Sequence, residues 1–387
     1  VSVTFPKGFR AAGISAGLKP SQARDVALVV NDGRQQSAAG VFTTNRIQAA
    51  PVKWSRAQVN GSGQARAVVL NSGGANAATG EPGYADTVRT ATHAASVLGT
   101  DPQQVLVCST GLIGEPLPMD LLLPGVTAAH QALTVDGGAN AAEAIMTTDT
   151  VSKTAQVERD GWSVGGIAKG AGMLAPGMAT MLVVLTTDAI VDAGTLDSAL
   201  RSATSTTFDR VDSDGCMSTN DSVIALASGE SGRAVSEEEL TQALEEISAD
   251  LARQLIGDAE GATHDIAVRV VNASSVDSAV AVARAITRSN LFKTAVFGND
   301  PNWGRIISAA GTVPEEVAPF SPEEIDVHVN GIQVCRSGGV GQDRSLVDMR
   351  DREVHVVVDL HAGESEATVW TNDLTHDYVH ENSAYSS

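Results

Sequence analysis

The chain has 387 residues and a formal net charge of −20, with 43% hydrophobic, 19% charged and only 4% aromatic residues. That charge argues against a surface built for nucleic acid or anionic membrane, both of which need clustered Lys and Arg. No run approaches the ~20 apolar residues of a membrane helix, and Cys108, Cys216 and Cys335 are too few and too far apart for a disulfide framework or a zinc motif.

With no cationic, apolar leader in residues 1–17, the expectation is a cytoplasmic protein with reduced thiols. The length suggests two or three domains, and 37 glycines with few aromatics mean packing by small side chains. Residues 25–31, 40–42 and 65–70 read as short buried strands, the last closed by Asn71-Ser72-Gly73-Gly74. Gly13-Ile14-Ser15-Ala16-Gly17 has the letters of a hydrolase elbow, but Pro20 speaks against the helix that motif must open.

A helix is expected over residues 86–98, then a strand over 104–108 and the loop Ser109-Thr110-Gly111, whose hydroxyl and glycine N–H are suitable oxyanion donors. Helices over 126–133 and 139–146 follow, and Thr147-Thr148-Asp149-Thr150 either stops the second or touches substrate. Residues 154–158 and 162–167 read as a hairpin that delivers the chain to a glycine-rich stretch.

That stretch, Lys169 to Leu182, changes from the most flexible backbone in the chain to a buried strand, and the change falls at Thr180. Gly170, Gly172 and Ala175 fit a relaxed dinucleotide fingerprint, but Pro176 interrupts the helix it needs. A threonine at the start of a core strand suits a self-cleaving N-terminal nucleophile. Attack of its hydroxyl on the Ala179 carbonyl gives an ester, and hydrolysis leaves a new α-amine on Thr180. With an unperturbed pKa of ~7.7 to 8 that amine is a base suited to neutral pH, and threonine activated by its own amine is an established nucleophile. Lys169, one of only six lysines, stands close by in sequence to meet a carboxylate.

Beyond Thr180, a helix over 236–255 opens on a Ser236/Glu239 capping box and delivers Asp258-Ala259-Glu260-Gly261. A strand over 266–271 and a helix over 277–287 precede residues 297–305, read as a tight loop carrying Trp303 and Arg305. Asn330-Gly331 marks a hairpin between strands 325–329 and 332–335. Strands 353–360 and 367–371 follow, and His376 and His380 read as surface histidines, since no third metal ligand accompanies them. Strand pairs mixed with helices fit a layered α/β fold with substantial antiparallel pairing.

Taken together, nine blocks resemble the ornithine acetyltransferase family, also called glutamate N-acetyltransferase, of bacterial arginine biosynthesis. They are Leu70-Asn-Ser-Gly-Gly-Ala-Asn76, Cys108-Ser-Thr-Gly-Leu-Ile-Gly114, Met146-Thr-Thr-Asp149, Lys169-Gly-Ala-Gly-Met173, Ala179-Thr-Met-Leu182, Ser218-Thr-Asn-Asp221, Asp258-Ala-Glu-Gly261, Asp300-Pro-Asn-Trp-Gly-Arg305 and Glu381-Asn-Ser-Ala-Tyr-Ser-Ser387. Their order along nearly the whole chain is far more specific than any one of them.

The resemblance implies an αββα sandwich and self-cleavage between Ala179 and Thr180, giving chains 1–179 and 180–387 that fold together and assemble as α2β2 or higher. It places the nucleophile at Thr180 and the oxyanion hole at Thr110 and Gly111. Substrate contacts fall on Thr147, Lys169, Thr180, Glu260, Asn382 and Ser387. His264 departs from the family, where a basic residue is common, but lies outside those contacts. The implied reaction moves acetyl from N2-acetylornithine to glutamate through an acetyl-threonine, with no metal or other cofactor, and leaves acetyl-CoA open as a second donor. An amidase or aminopeptidase with the same nucleophile would pass the acyl group to water instead. A non-catalytic acidic binding protein would leave the junction at Thr180 without a purpose.

Overall fold

In the computed structural model, which describes residues 2–175 and 181–384, the buried apolar runs pair into three sheets among the described residues. The described residues divide into two units, one of residues 2–175, 181–209 and 216–258, the other of residues 210–215 and 259–384.

The first unit runs β1 (Phe9–Ile14), β2 (Val26–Asn31), β3 (Ser37–Phe42), α1 (Ala50–Ser62), β4 (Ala67–Asn71), α2 (Gly80–Leu98), β5 (Val105–Ser109), α3 (Met119–Gln131) and α4 (Gly138–Ala144). It continues through β6 (Lys153–Arg159), β7 (Trp162–Lys169), β8 (Leu182–Thr187), α5 (Ala193–Thr206), β9 (Ser222–Ala227) and α6 (Glu237–Gly257). One sheet has the order β1-β2-β4-β5 and the other β3-β9-β8-β7-β6. Every residue of β2, β4, β5, β7, β8 and β9 is buried, so these strands are covered on both faces instead of alternating between core and solvent.

One core takes side chains from both sheets, Ala27, Leu70 and Leu106 from the first and Ile167, Val184 and Ile224 from the second. A separate core lies between the other face of the β1-β2-β4-β5 sheet and helices α2 and α3, through Ala91, Ala94, Leu122 and Val126. Helices α5 and α6 pack on each other and on strands of the second sheet. Small residues permit close approach: a Cβ at Gly13 in β1 would lie 1.8 Å from the Asn140 carbonyl oxygen of α4.

The second unit runs β10 (Asp265–Ala273), α7 (Val276–Thr287), α8 (Asn290–Phe297), α9 (Trp303–Ala310), β11 (Asp326–Val329), β12 (Ile332–Arg336), β13 (Gly339–Val340), β14 (Glu353–Asp359), β15 (Ser365–Asn372) and α10 (His376–Ala384). Its sheet has the order β13-β12-β11-β14-β10-β15. Asn330 and Gly331 both take positive φ, 45° and 83°, as the hairpin turn between β11 and β12 requires.

Several expectations need correction. Helix α2 begins at Gly80 instead of 86, and α3 begins at Met119 instead of 126 because Pro124, a helix breaker in sequence, sits inside it. Residues 297–305 are not wholly loop. Trp303 opens α9, which Asn302 caps by accepting from the Arg305 N–H at 3.3 Å. Strands β1 and β9 and helices α1 and α5 were not anticipated. The Gly13–Gly17 run leads from β1 into a loop and opens no helix.

Candidate active site

In the first unit, β4 and β5 are parallel and in register, with Asn71 opposite Ser109, so the two loops that follow them leave side by side. Thr110 N–H donates to the Asn71 carbonyl at 2.9 Å and Gly74 N–H to the Thr110 carbonyl at 3.0 Å. Asn71 fastens both loops with its side chain, donating to Gly74 O at 3.0 Å and accepting from the Ser109 hydroxyl at 2.6 Å. From the β9 side, Asn220 Nδ2 donates to Ala75 O at 2.6 Å and Ser109 O at 2.7 Å.

The result is a rigid Ser109-Thr110-Gly111 segment. Gly111 has φ +132°, and a Cβ there would come within 2.7 Å of Gly74 N, so only glycine fits. Thr110 N–H is spent on Asn71, whereas the Gly111 N–H has no acceptor among the described residues. The donors this segment can offer an oxyanion are therefore the Thr110 hydroxyl and the Gly111 N–H.

Lys169 ends β7 opposite Leu182, the first residue of β8. Its side chain is buried, and its Nζ lies 3.4 Å from Thr110 Oγ1 and 4.0 Å from Asp149 Oδ2. Asp149, just past α4, accepts from Thr147 N–H at 2.9 Å and Gly170 N–H at 2.6 Å, and so ties Thr147 to the Lys169–Gly170 turn. It also accepts from Lys153 Nζ at 2.7 Å, and Lys153 reaches Asp258 Oδ2 at 2.6 Å. Burial works against the Asp149 charge, but Lys169, Lys153 and the Thr147 N–H bring its pKa down to about 2.

Asp221, at the start of β9, is fully buried and accepts from Met181 N–H at 3.1 Å. Burial pushes its carboxyl well above the ordinary carboxylate range, against the Met181 N–H, the Ser218 hydroxyl and the charge of Lys169. Burial also pushes the Cys108 thiol up to about 12, which makes it an inert core residue.

In the second unit, Glu260 Oε2 accepts from Asn382 Nδ2 at 3.0 Å. Both expected contact residues of that unit are thus in direct contact. Glu260 lines a cavity of about 350 Å³ with Lys293, Asp373 and Tyr378. His376 and His380 lie on α10, and among the described residues no cluster of His, Cys, Asp or Glu has the makings of a metal site. Ala179, Thr180 and Ser387 lie outside the described residues.

The structure therefore brings Thr110, Gly111, Thr147 and Lys169 together. Sequence reasoning missed the group that holds them. In sequence Asp149 stands only as one of four small polar residues and in a motif block, Asn71, Asn220 and Asp221 stand only within a strand-end loop or motif blocks, and Lys153 carries no mark. The available signal for the buried pair is a lysine four residues after an aspartate, at an inward-facing position of a strand whose buried side is otherwise Ala155 and Val157.

A family model described as the ArgJ family matches residues 10–387. The "Arginine biosynthesis bifunctional protein ArgJ" of Streptomyces coelicolor is 62% identical over 387 residues, all of both chains, and its namesake in Thermobifida fusca is 57% identical over the same span. A crystal structure of ornithine acetyltransferase complexed with ornithine from Mycobacterium tuberculosis is 51% identical and covers 47% of this chain and 96% of its own, with a TM-score of 0.45.

Proposed function

The chain belongs to the ArgJ family, and on that premise we propose that it transfers acetyl from N2-acetylornithine to glutamate by way of an acetyl ester on Thr180. The observation that carries this reading is the meeting of Lys169 with Thr110, 3.4 Å apart, at the β7 end that faces Leu182. A cation for a substrate carboxylate and two oxyanion donors thus stand beside the strand that begins just after Thr180.

In this reading Thr180 is exposed as a new N-terminus by cleavage after Ala179. Its Oγ attacks the acetyl carbonyl carbon while its proton passes to its own α-amine. Charge on the tetrahedral oxygen is met by the Thr110 hydroxyl and the Gly111 N–H. The amide C–N bond breaks, the proton goes to the departing ornithine nitrogen, and the acetyl ester remains. The α-amine of glutamate then attacks the ester, N-acetylglutamate leaves, and Thr180 regains its proton. Lys169 and Thr147 receive the substrate carboxylate, Glu260 and Asn382 the ornithine ammonium, and the terminal Ser387 completes the contacts.

Two facing sheets with α2 and α3 outside one and α5 and α6 against the other support an αββα arrangement in the first unit. Acetyl-CoA as a second donor and an α2β2 or larger cytoplasmic enzyme belong to the same proposal, and the name "bifunctional" of the relatives is in keeping with a second activity.

Purified protein should run on a denaturing gel as chains of 179 and 208 residues (387 − 179), the second with Thr180 at its N-terminus, and Thr180→Ala should stay whole. Incubation with acetylornithine alone should add one acetyl to the 208-residue chain by mass spectrometry. An active wild type that stays uncleaved, or an adduct that forms only when glutamate is present, overturns the reading.

A further inference from the structure

Four charged side chains of the first unit form a buried row of alternating sign, Asp258, Lys153, Asp149 and Lys169. Their side chains are 7%, 0%, 0% and 2% exposed, in that order. Lys153 has three acceptors for its three protons: Asp149 Oδ1 at 2.7 Å, Asp258 Oδ2 at 2.6 Å and Val151 O at 3.3 Å. At the outer end Asp258 is anchored by the Thr150 N–H at 3.0 Å and the Thr150 hydroxyl. The row sums to zero charge, as four buried charges must nearly do to be tolerated.

One contact in the row is unlike the others. Lys153 touches both of its aspartates, whereas Lys169 stands 4.0 Å from Asp149, outside hydrogen-bond distance. Asp149 is held back because its oxygens already serve Lys153 Nζ, Gly170 N–H and Thr147 N–H. At that distance Asp149 favours the charged form of Lys169 without capturing it, and Nζ stays within 3.4 Å of Thr110 Oγ1.

We propose that Asp149 and Lys153 are positioning residues of the carboxylate subsite: Asp149 keeps Lys169 protonated in a buried place, and Lys153 occupies Asp149 so that it cannot close onto Lys169. This rests on the reading that Lys169 meets the substrate carboxylate. Other described charges that bear on Lys169 include Lys19, whose Nζ donates to the Arg24 and Met146 carbonyls and which is itself balanced by Asp25, and Asp221 on the β9 side. Burial raises the Asp221 carboxyl and so lessens its pull on Lys169, and Lys19 repels the Lys169 charge, whereas Asp149, held charged by its own partners, favours it.

The two substitutions have opposite signatures, which a merely structural role does not produce. In Asp149→Asn, Lys169 loses the negative charge that stands 4.0 Å from its Nζ and deprotonates at lower pH. The KM values for acetylornithine and glutamate should then begin to rise at least one pH unit below the wild-type onset, by ~10-fold per further unit. In Lys153→Met, the vacated Asp149 pairs directly with Lys169, so KM for both substrates should rise ~10-fold or more at every pH, with no shift of the onset to lower pH.

The measurement is kcat and KM from pH 6 to 10 on fully cleaved protein, with Lys169→Met alongside. If Lys169→Met leaves both KM values unchanged, the carboxylate reading of Lys169 fails. If Lys169→Met raises them while Asp149→Asn and Lys153→Met keep wild-type KM and pH profile, the positioning role fails and the carboxylate reading stands. Should Asp149→Asn not fold, Lys153→Met decides by itself, and a wild-type KM in that variant overturns the proposal.

Discussion

In the proposed reaction the Thr110 hydroxyl and the Gly111 N–H would act only on charge that develops in the transition state, so their loss would belong in kcat and not in KM. Removing one such donor typically costs ~100 to 1,000-fold in turnover. Thr110→Ala should show that loss with little change in KM for either substrate, and Thr110→Ser should recover most of it. Near-wild-type turnover in Thr110→Ala with a lowered melting temperature would mean that the segment is only a turn. Cleavage must be complete in each preparation, because in the proposed reading the same donors would serve that step.

A second prediction at this scale concerns Asp221. Its folded pKa lies above its unfolded value of ~3.9, so the stability it contributes is full below that pH and declines as pH rises toward the folded pKa. Asparagine keeps an acceptor for the Met181 N–H and has no proton to lose. Asp221→Asn should melt with the wild type near pH 4 and above it near pH 7, and equal melting at both would show that the carboxyl is not held neutral.

Among elements, the edge strand β5 carries the Ser109-Thr110-Gly111 segment at its end, and α1 protects its outer side. Trp54 Nε1 donates to Val105 O at 2.9 Å, and the Ser55 hydroxyl both donates to Val107 O at 2.7 Å and accepts from Val107 N–H at 2.8 Å. Two α1 side chains thus stand in for a missing neighbour strand. Ser55→Ala leaves a buried N–H and C=O without partners and should cost ~1–3 kcal/mol, read as a lowered urea midpoint at an unchanged m-value. An unchanged midpoint would show that the edge is satisfied in another way.

The same helix explains what was legible in sequence. Helix α6 was readable because Ser236 and Glu239 close both bonds of its capping box and its apolar stripe is unbroken. Helix α1 was not, because its buried face includes the polar Ser55, whose role depends on a strand about fifty residues away. Strands β8 and β9 are equally apolar, but only β8 follows a glycine-rich break that announces it. Within the site, Thr110 and Gly111 stand in a loop after an evident strand. Asp149 and Lys153 look like ordinary solvated charges until the fold buries them together.

For the molecule as a whole, cleavage after Ala179 would divide the sequence without dividing the fold. In the five-stranded sheet β3, β7 and β6 precede the cut, whereas β8 and β9 follow it, and the order β3-β9-β8-β7-β6 inserts the later pair between earlier strands. Six residue pairs join β8 to β7, from Lys169 opposite Leu182 to Val164 opposite Thr187, and six join β9 to β3. Leu182, Val184, Ile224 and Leu226 also enter the core shared with Ile167, Leu70 and Leu106. Separating the two chains therefore requires breaking two ladders and opening that core, which amounts to unfolding the unit. The cleaved protein should elute as one species on size exclusion in native buffer at any salt concentration, since backbone ladders and an apolar core join the chains and the surface ion pairs between them, such as Arg159–Glu246, add little. Across a urea titration, release of the 179-residue chain should coincide with loss of the far-ultraviolet circular dichroism signal. Release at a urea concentration that leaves that signal intact would show that the central strands do not hold the chains together.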